Sequence, residues 1–159
     1  MPNDGGLLAV LEQWFADQLA ALTFGGNKVF KTADVWRHQV GPTAGGLEAF
    51  VRYAPFAFAS YQSDDAAREG SYDLRQVFEI AVLIGVESQS PGVARTGDAS
   101  HLGTSKLRDL VIALFDKKTP GGDLGCDEIY YTGAVEVVDS PRQHALQMTF
   151  EISKLTESS

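Results

Sequence analysis

Three histidines, one cysteine and a few paired carboxylates are the residues that could do chemistry in this chain. His38, His101 and His144 do not stand at metal-ligand spacing from one another, and none is near Cys126 in sequence. Each reads as an ordinary surface or structural histidine, and His144, just after a turn, is expected to be exposed. Cys126 adjoins Asp127 and Glu128, and acidic neighbours disfavour a thiolate. It reads as a buried or edge-strand thiol. The pairs Asp64/Asp65 and Asp127/Glu128 are adjacent, and on a strand neighbours point to opposite faces, so Asp127 and Glu128 would not converge. The segment Gly97-Asp98-Ala99-Ser100-His101-Leu102-Gly103-Thr104-Ser105-Lys106 comes nearest to a phosphate loop. Its lysine follows the hydroxyl residues, its spacing is too long, and no strongly apolar strand leads into it. It reads as a loop feeding a capped helix. No triad, metal set or nucleotide fingerprint survives, so neither an enzyme nor a cofactor is expected.

The elements that would position these residues follow from hydrophobic period. Leu8, Leu11, Phe15, Leu19 and Leu22 recur at steps of three and four, which predicts an amphipathic helix with Glu12 and Asp17 off its apolar stripe. Asn3 or Asp4 can cap it and Gly25-Gly26 stop it. Val29-Phe30 and Val35-Trp36 suggest short extended pieces broken by Thr32-Ala33-Asp34. Gly41-Pro42 and Gly45-Gly46 mark a loop, and Leu47 to Tyr53 a short helix ended by Pro55. Phe56 to Tyr61 alternates aromatic and small residues as a strand does. Gln62 to Gly70 is polar and reads as a loop or hairpin tip. Tyr72 to Glu87 is the longest strand signal. Its apolar middle, Ile80 to Ile84, predicts a central strand covered on both faces.

Ser88 to Gly97 reads as a flexible connection. Asp98 or Ser100 would cap a second helix with the stripe Leu107, Leu110, Val111, Leu114 and Phe115, and Lys117-Lys118 in its last turn. Glu128 to Asp139 predicts a strand carrying Ile129, Tyr131, Val135 and Val137, with a bulge near Gly133. After the turn at Ser140-Pro141-Arg142, Leu146, Met148, Phe150 and Ile152 alternate with polar residues. The sum is an α+β fold, with two amphipathic helices packed on a mostly antiparallel β-sheet. One domain, 1–155, and a polar tail, 156–159, are expected.

The chain has 159 residues and a net charge of −8, with 13 Lys+Arg against 21 Asp+Glu. A surface that neutralises phosphates needs clustered Lys and Arg, so sequence-specific nucleic-acid binding is not expected. The single cysteine excludes an internal disulfide framework. No apolar run reaches the roughly 18 residues of a membrane span, and the first residues lack the basic start of a secretory signal. A soluble protein made in a cytoplasm, without a membrane partner, is the expectation.

The order of a helix, a loop, Ala54-Pro55-Phe56-Ala57-Phe58-Ala59, an acidic break and a long strand resembles the Mu-like phage tail-terminator family. The segment Phe30-Lys31-Thr32-Ala33-Asp34-Val35-Trp36 resembles that family's first short strand. The helix at Leu107–Phe115 and the hairpin at Glu128–Leu155 continue the pattern, so the resemblance spans nearly the whole chain. It implies a structural virion protein of the phage tail or neck, assembled in the bacterial cytoplasm. Such proteins form homohexameric rings that cap the tail tube, end its elongation and meet the head-tail connector. In a contractile tail they also touch the sheath. The family offers no catalytic residue to carry over.

In such a ring, acids near a lumen would keep a passing duplex from sticking. The candidates are Asp64, Asp65, Glu69, Asp127, Glu128, Glu136 and Asp139. Trp36, Phe56 and Tyr61 are the candidate subunit-interface anchors, since aromatics are enriched at interface cores. Against this stands a different class: a small monomeric α+β ligand-binding or enzymatic domain, its site assembled from His38, His101 and Asp98.

Overall fold

The computed structural model describes residues 6–37, 39, 50, 52–69, 73–88, 90–99, 101–121 and 124–156. The first helix, α1, spans Gly6–Ala21. Leu11, Phe15 and Leu19, at steps of four, are fully buried, and Leu8 and Leu22 flank them half-buried. Burying each such side chain contributes about 1.5–3 kcal/mol. Gly25 and Gly26 do not stop the helix. They make the turn of a small hairpin, β1 (Thr23–Phe24) and β2 (Asn27–Lys28), where both take positive φ. Two-residue hairpin turns with both φ positive favour glycine. The proposed caps Asn3 and Asp4 lie outside the described residues.

Five strands form the main sheet: β3 (Thr32–Val35), β4 (Phe56–Glu69), β5 (Asp73–Glu87), β6 (Ile129–Asp139) and β7 (Gln143–Thr156). Their order is β3-β4-β5-β7-β6, and only the β3–β4 pair is parallel. The α+β architecture with a mostly antiparallel sheet is therefore present, and β5 is central as its apolar middle requires.

Several boundaries differ from expectation. Thr32-Ala33-Asp34, taken as a break, is most of β3, while Val29 and Phe30 leave the ladder and enter the core. Gln62 to Glu69 is strand. Each of its residues except Gln62 pairs with β5, from Ser63↔Glu79 to Glu69↔Asp73. Polarity there reflects exposure of both faces, since residues 62–68 all reach solvent. β4 and β5 thus extend past β3 as a long arm, backed by β7 as far as Leu74↔Thr156. Phe50, Arg52 and Tyr53 are helical, whereas the glycine-rich loop at 41–46 lies outside the described residues.

The sheet buries its two faces unequally. On one face Phe78, Ile80, Val82, Ile84 and Val86 of β5 and Leu146, Met148, Phe150 and Ile152 of β7 meet the helices. Phe15 and Phe115 lie 4.4 Å apart between centroids, and Phe150 approaches Phe115 at 5.4 Å. The other face carries a smaller cluster of Phe50, Phe56, Phe58 and Ala145, with Trp36, Tyr53 and Leu83 against it. Phe56 lies across Gly85, where a Cβ would fall 2.3 Å from the ring. Only glycine leaves room for that stacking.

A short helix, α2 (Val93–Thr96), occupies the connection expected to be flexible. The helix α3 (Thr104–Phe115) buries Thr104, Leu107, Val111 and Phe115, with Leu110 and Leu114 half-buried. Its N-cap is Gly103, not Asp98, and Ser100 lies outside the described residues. Lys117 and Lys118 follow the helix. Their backbones bond to Ile129 and start β6. The expected bulge near Gly133 is there, between Tyr131 and Gly133, and a second follows between Glu136 and Val138. Val135 and Val137 of this strand are exposed, while Ile129 is buried.

Two bulges share one device. The N–H of Tyr61, at the irregularity of β4, donates to Glu12 of α1 at 2.8 Å. The N–H of Tyr131, at the bulge of β6, donates to Asp116 at the end of α3 at 2.9 Å. A bulge frees a backbone donor, and a helix-borne carboxylate accepts it.

Candidate functional site

Three places gather polar side chains. The first is a buried network around His144. Strand alternation puts His144 on the helix-covered face of β7, with 3% exposure. This corrects its assignment to the surface: β7 begins at Gln143, so His144 is already within the strand and lies under α3. Its Nε2–H donates to Glu136 at 3.0 Å, so in the neutral ring Nδ1 accepts a close hydrogen bond from the Thr104 hydroxyl. Thr104 is fully buried at the start of α3. Glu136 also meets Arg95 at 2.7 Å, and Arg95 reaches Asp139 at 3.0 Å. Asp139, then Glu136, holds the Arg95 guanidinium more firmly protonated than usual. Hydroxyl, imidazole and carboxylate in a line resemble a nucleophile relay, but a hydroxyl with no exposure cannot meet a substrate. The network ties α2, α3, β6 and β7 together.

The second place is an open cavity of about 470 Å³ beside the β1–β2 hairpin. Its walls include Lys28, Val29, Val86, Glu87, Asp98 and His101. Asp98 accepts the backbone N–H of His101 at 2.9 Å and lies 3.2 Å from its Nδ1. Two residues of the alternative site thus come together, while His38 lies outside the described residues. The glycines of this segment have a local cause. Gly97 holds φ +77, and a Cβ on Gly103 would fall 2.4 Å from the Gly97 nitrogen. The loop closes on itself, backbone against backbone, where a phosphate cradle would stay open.

The third place is the set of acids, which divides between two ends of the sheet. Asp65 lies opposite Val77, Val77 opposite Ser153, and Ser153 donates to Asp127 at 3.0 Å. Asp65 and Asp127 are therefore in one transverse row on the face away from the helices. Asp127 also meets Arg75 at 3.4 Å. Asp64 is on the opposite face, where its hydrogen bond from the Tyr61 hydroxyl raises the phenol's pKa. Glu128 accepts from Tyr130 and raises that phenol likewise. Glu69 ends β4, and its side chain lies outside the described residues. Glu136 and Asp139 are at the far end of β6, about 25–30 Å along the strand from Asp127. The seven acids do not make one patch.

Of the interface anchors, Phe56 has no exposure and belongs to the small cluster, so it offers nothing to a partner. Strand alternation outweighs its place after a loop. Trp36 is half-buried just past β3, 6.0 Å from Phe58. Tyr61 is half-buried on β4 against the main core. Cys126 is 7% exposed, and burial raises its thiol pKa above the ordinary value, with Lys154 opposing. It fits the expected inert thiol. No three His, Cys, Asp or Glu residues cluster for a metal among the described residues. No family model matches the chain, and no curated protein matches it either. Sequence reasoning missed Thr104 and Arg95. Thr104 is 40 residues from His144, and no local period links them.

Proposed function

We propose that the chain is a tail terminator of the Mu-like phage type. Six copies form a ring on the last ring of the tail tube, stop its growth and present a surface to the head-tail connector. In a contractile tail the sheath is a further neighbour. The virion tail is then its place of action, and the bacterial cytoplasm its place of assembly. The observation that carries this reading is the run of pattern from Phe30–Trp36 through Pro55–Ala59 to the hairpin at 128–155. The fold is compatible with it: an α+β body with a long strand arm and a sheet open at both edges among the described residues. The acidic balance suits a passage that DNA must clear without sticking.

The test is electron microscopy of the protein mixed with isolated tail tubes, and of tails made without it. Six-fold rings at tube ends, and overlong tails in its absence, are expected. A pore lined by Lys and Arg, or no ring even on tubes, refutes the reading.

The juxtaposition of Asp98 and His101 at a cavity favours the second reading, a monomeric ligand-binding or enzymatic domain. Neighbouring genes separate the two: tail tube, sheath and tape-measure proteins belong with the first.

A further inference from the structure

The ring reading leaves open which surfaces of neighbouring subunits meet. Among the described residues, β3 and β6 are the two edges of the sheet and no strand pairs with their outer sides. Such edges offer N–H and C=O groups to a strand that approaches. On β3 the Val35 N–H and C=O are already held by Asp34 at 2.7 Å and Gln39 at 2.8 Å, and on β6 Ile129 and Tyr131 are held by residues 116–118, so the contact falls on Ala33 and on β6 beyond Tyr131. Natural edges are often blunted by charge, but β6 carries Tyr130 at 52%, Val135 at 60% and Val137 at 47% exposure. These are three of the four large apolar side chains most exposed among the described residues.

Cross-strand partners share a face, so the register traces rows across the sheet. Val135 lies opposite Gln147, Gln147 opposite Leu83, Leu83 opposite Phe58, and Phe58 opposite Asp34. One row therefore begins at β3 and ends at β6, on the face away from the helices. Trp36, two residues past Asp34, shares that face. With Phe58, Leu83 and Gln147 it lines a shallow groove of about 240 Å³. The groove crosses the sheet face from Trp36 to Gln147, and the exposed Val135 at the β6 edge and the indole of Trp36 at the β3 edge are different in kind, so they suit a head-to-tail contact better than a two-fold one.

Strand direction and charge agree with this. β3 runs with β4, and three successive antiparallel pairings then leave β6 running against β3. Joining β6 of one copy to β3 of the next would give an antiparallel ladder, the more stable kind per residue. β6 contains Glu136 and Asp139 and no base. The β3 border carries exposed Lys31 and Arg37 beside Asp34. Without a shift of register, Asp139 shares its row with His144 and Val86, and one step further is Pro55, whose carbonyl accepts the Lys31 N–H. Glu136 and Asp139 share the single cation Arg95, so that end of β6 keeps a net negative charge, and it would face Lys31 of the next copy.

We infer that the subunit contact is β6 of one copy laid antiparallel along β3 of the next, with Val135 beside Trp36 and the β6 acids beside Lys31. This rests on the ring reading. It makes Val135 an interface residue with Trp36 as its neighbour across the contact, and it leaves the β4–β5 arm free of the contact.

The test uses the full chain on isolated tail tubes, in a Cys126→Ser background. Val135→Cys and Asp34→Cys are placed in one chain, and a short bismaleimide is added. A ladder of cross-linked species up to six copies is expected. Chains that carry one cysteine each, mixed, should stop at dimers, and either alone should give none. Val135→Lys should abolish ring formation while the melting temperature stays unchanged, because the side chain is exposed. Val135→Cys cross-linking to itself would mean a two-fold contact and overturn the inference. Rings without a ladder also overturn it but leave the terminator reading standing. Absence of both rings and ladder sinks the two together.

Discussion

Replacing Thr104 by valine keeps the shape of the side chain and removes the hydroxyl that faces His144. The ring nitrogen is then left without its partner in a site with 3% exposure. An unsatisfied buried polar group costs about 1–3 kcal/mol. For a chain of 159 residues each kcal/mol lowers the melting temperature by about 2–4 °C. The expected fall is thus about 2–12 °C. Changing His144 to leucine instead leaves the hydroxyl of Thr104 without its imidazole partner and takes one of two donors from Glu136 Oε1. Glu136 keeps Arg95 and half-exposure, so its share is small, while the Thr104 share is again about 1–3 kcal/mol. The double variant removes both members of the buried bond and should be less harmful than the two single losses added together. A coupling of about 0.5–3 kcal/mol is expected from urea melts of the four proteins. Additivity within about 0.5 kcal/mol would refute the bond as a stabilising contact, and equal melting temperatures for Thr104→Val and the parent would refute its burial.

Phe15→Ala, in the centre of the aromatic cluster, should cost about 3–5 kcal/mol, and Leu110→Ala, half-buried, clearly less; chemical denaturation of both checks the helix faces. Gly103→Ala should prevent the 97–103 loop from closing and lower the melting temperature more than Gly92→Ala, whose Cβ meets nothing within 4 Å although its φ of +83 is itself strained. Cys126 should react slowly with a maleimide in the native protein and rapidly in urea, because burial keeps the thiol protonated. Its raised pKa means that the folded state holds the proton longer, so above the ordinary thiol value of about 8.5 stability should fall as pH rises; Cys126→Ser should lessen that slope in melts at alkaline pH.

The helices and the central and final strands were legible because their apolar residues keep one period over many turns or pleats. Leu11, Phe15 and Leu19 show it on α1, and Leu146 to Ile152 on β7. The bulge near Gly133 was legible because a phase slip interrupts alternation. The β4 half of the arm, Gln62 to Glu69, was not, since a strand exposed on both faces has no alternation to read, and Asp64-Asp65 looked like a turn. β3 was hidden for a related reason: its residues are half-buried, and the apolar Val29-Phe30 nearby drew the assignment away. The burial of His144 follows from the phase of β7, which puts it with Leu146, and its place after a turn outweighed that clue. The pairing with Thr104 joins elements far apart in sequence, and only packing brings them together.

The carboxylate of Glu12 on the Tyr61 N–H fixes the backbone at the point where the arm leaves the body. From there to Glu69 the strand runs about 27 Å. A swing of about 10° at that root would move the tip by about 5 Å, about one inter-strand spacing. A monomer would tolerate such an error. In the proposed ring, where the arm lies outside the subunit contact, the same displacement would be repeated in every copy. One hydrogen bond between a helix and a strand, together with the β5–β7 ladder, then bears on manufacturing tolerance, because both set the line along which the arm leaves the body.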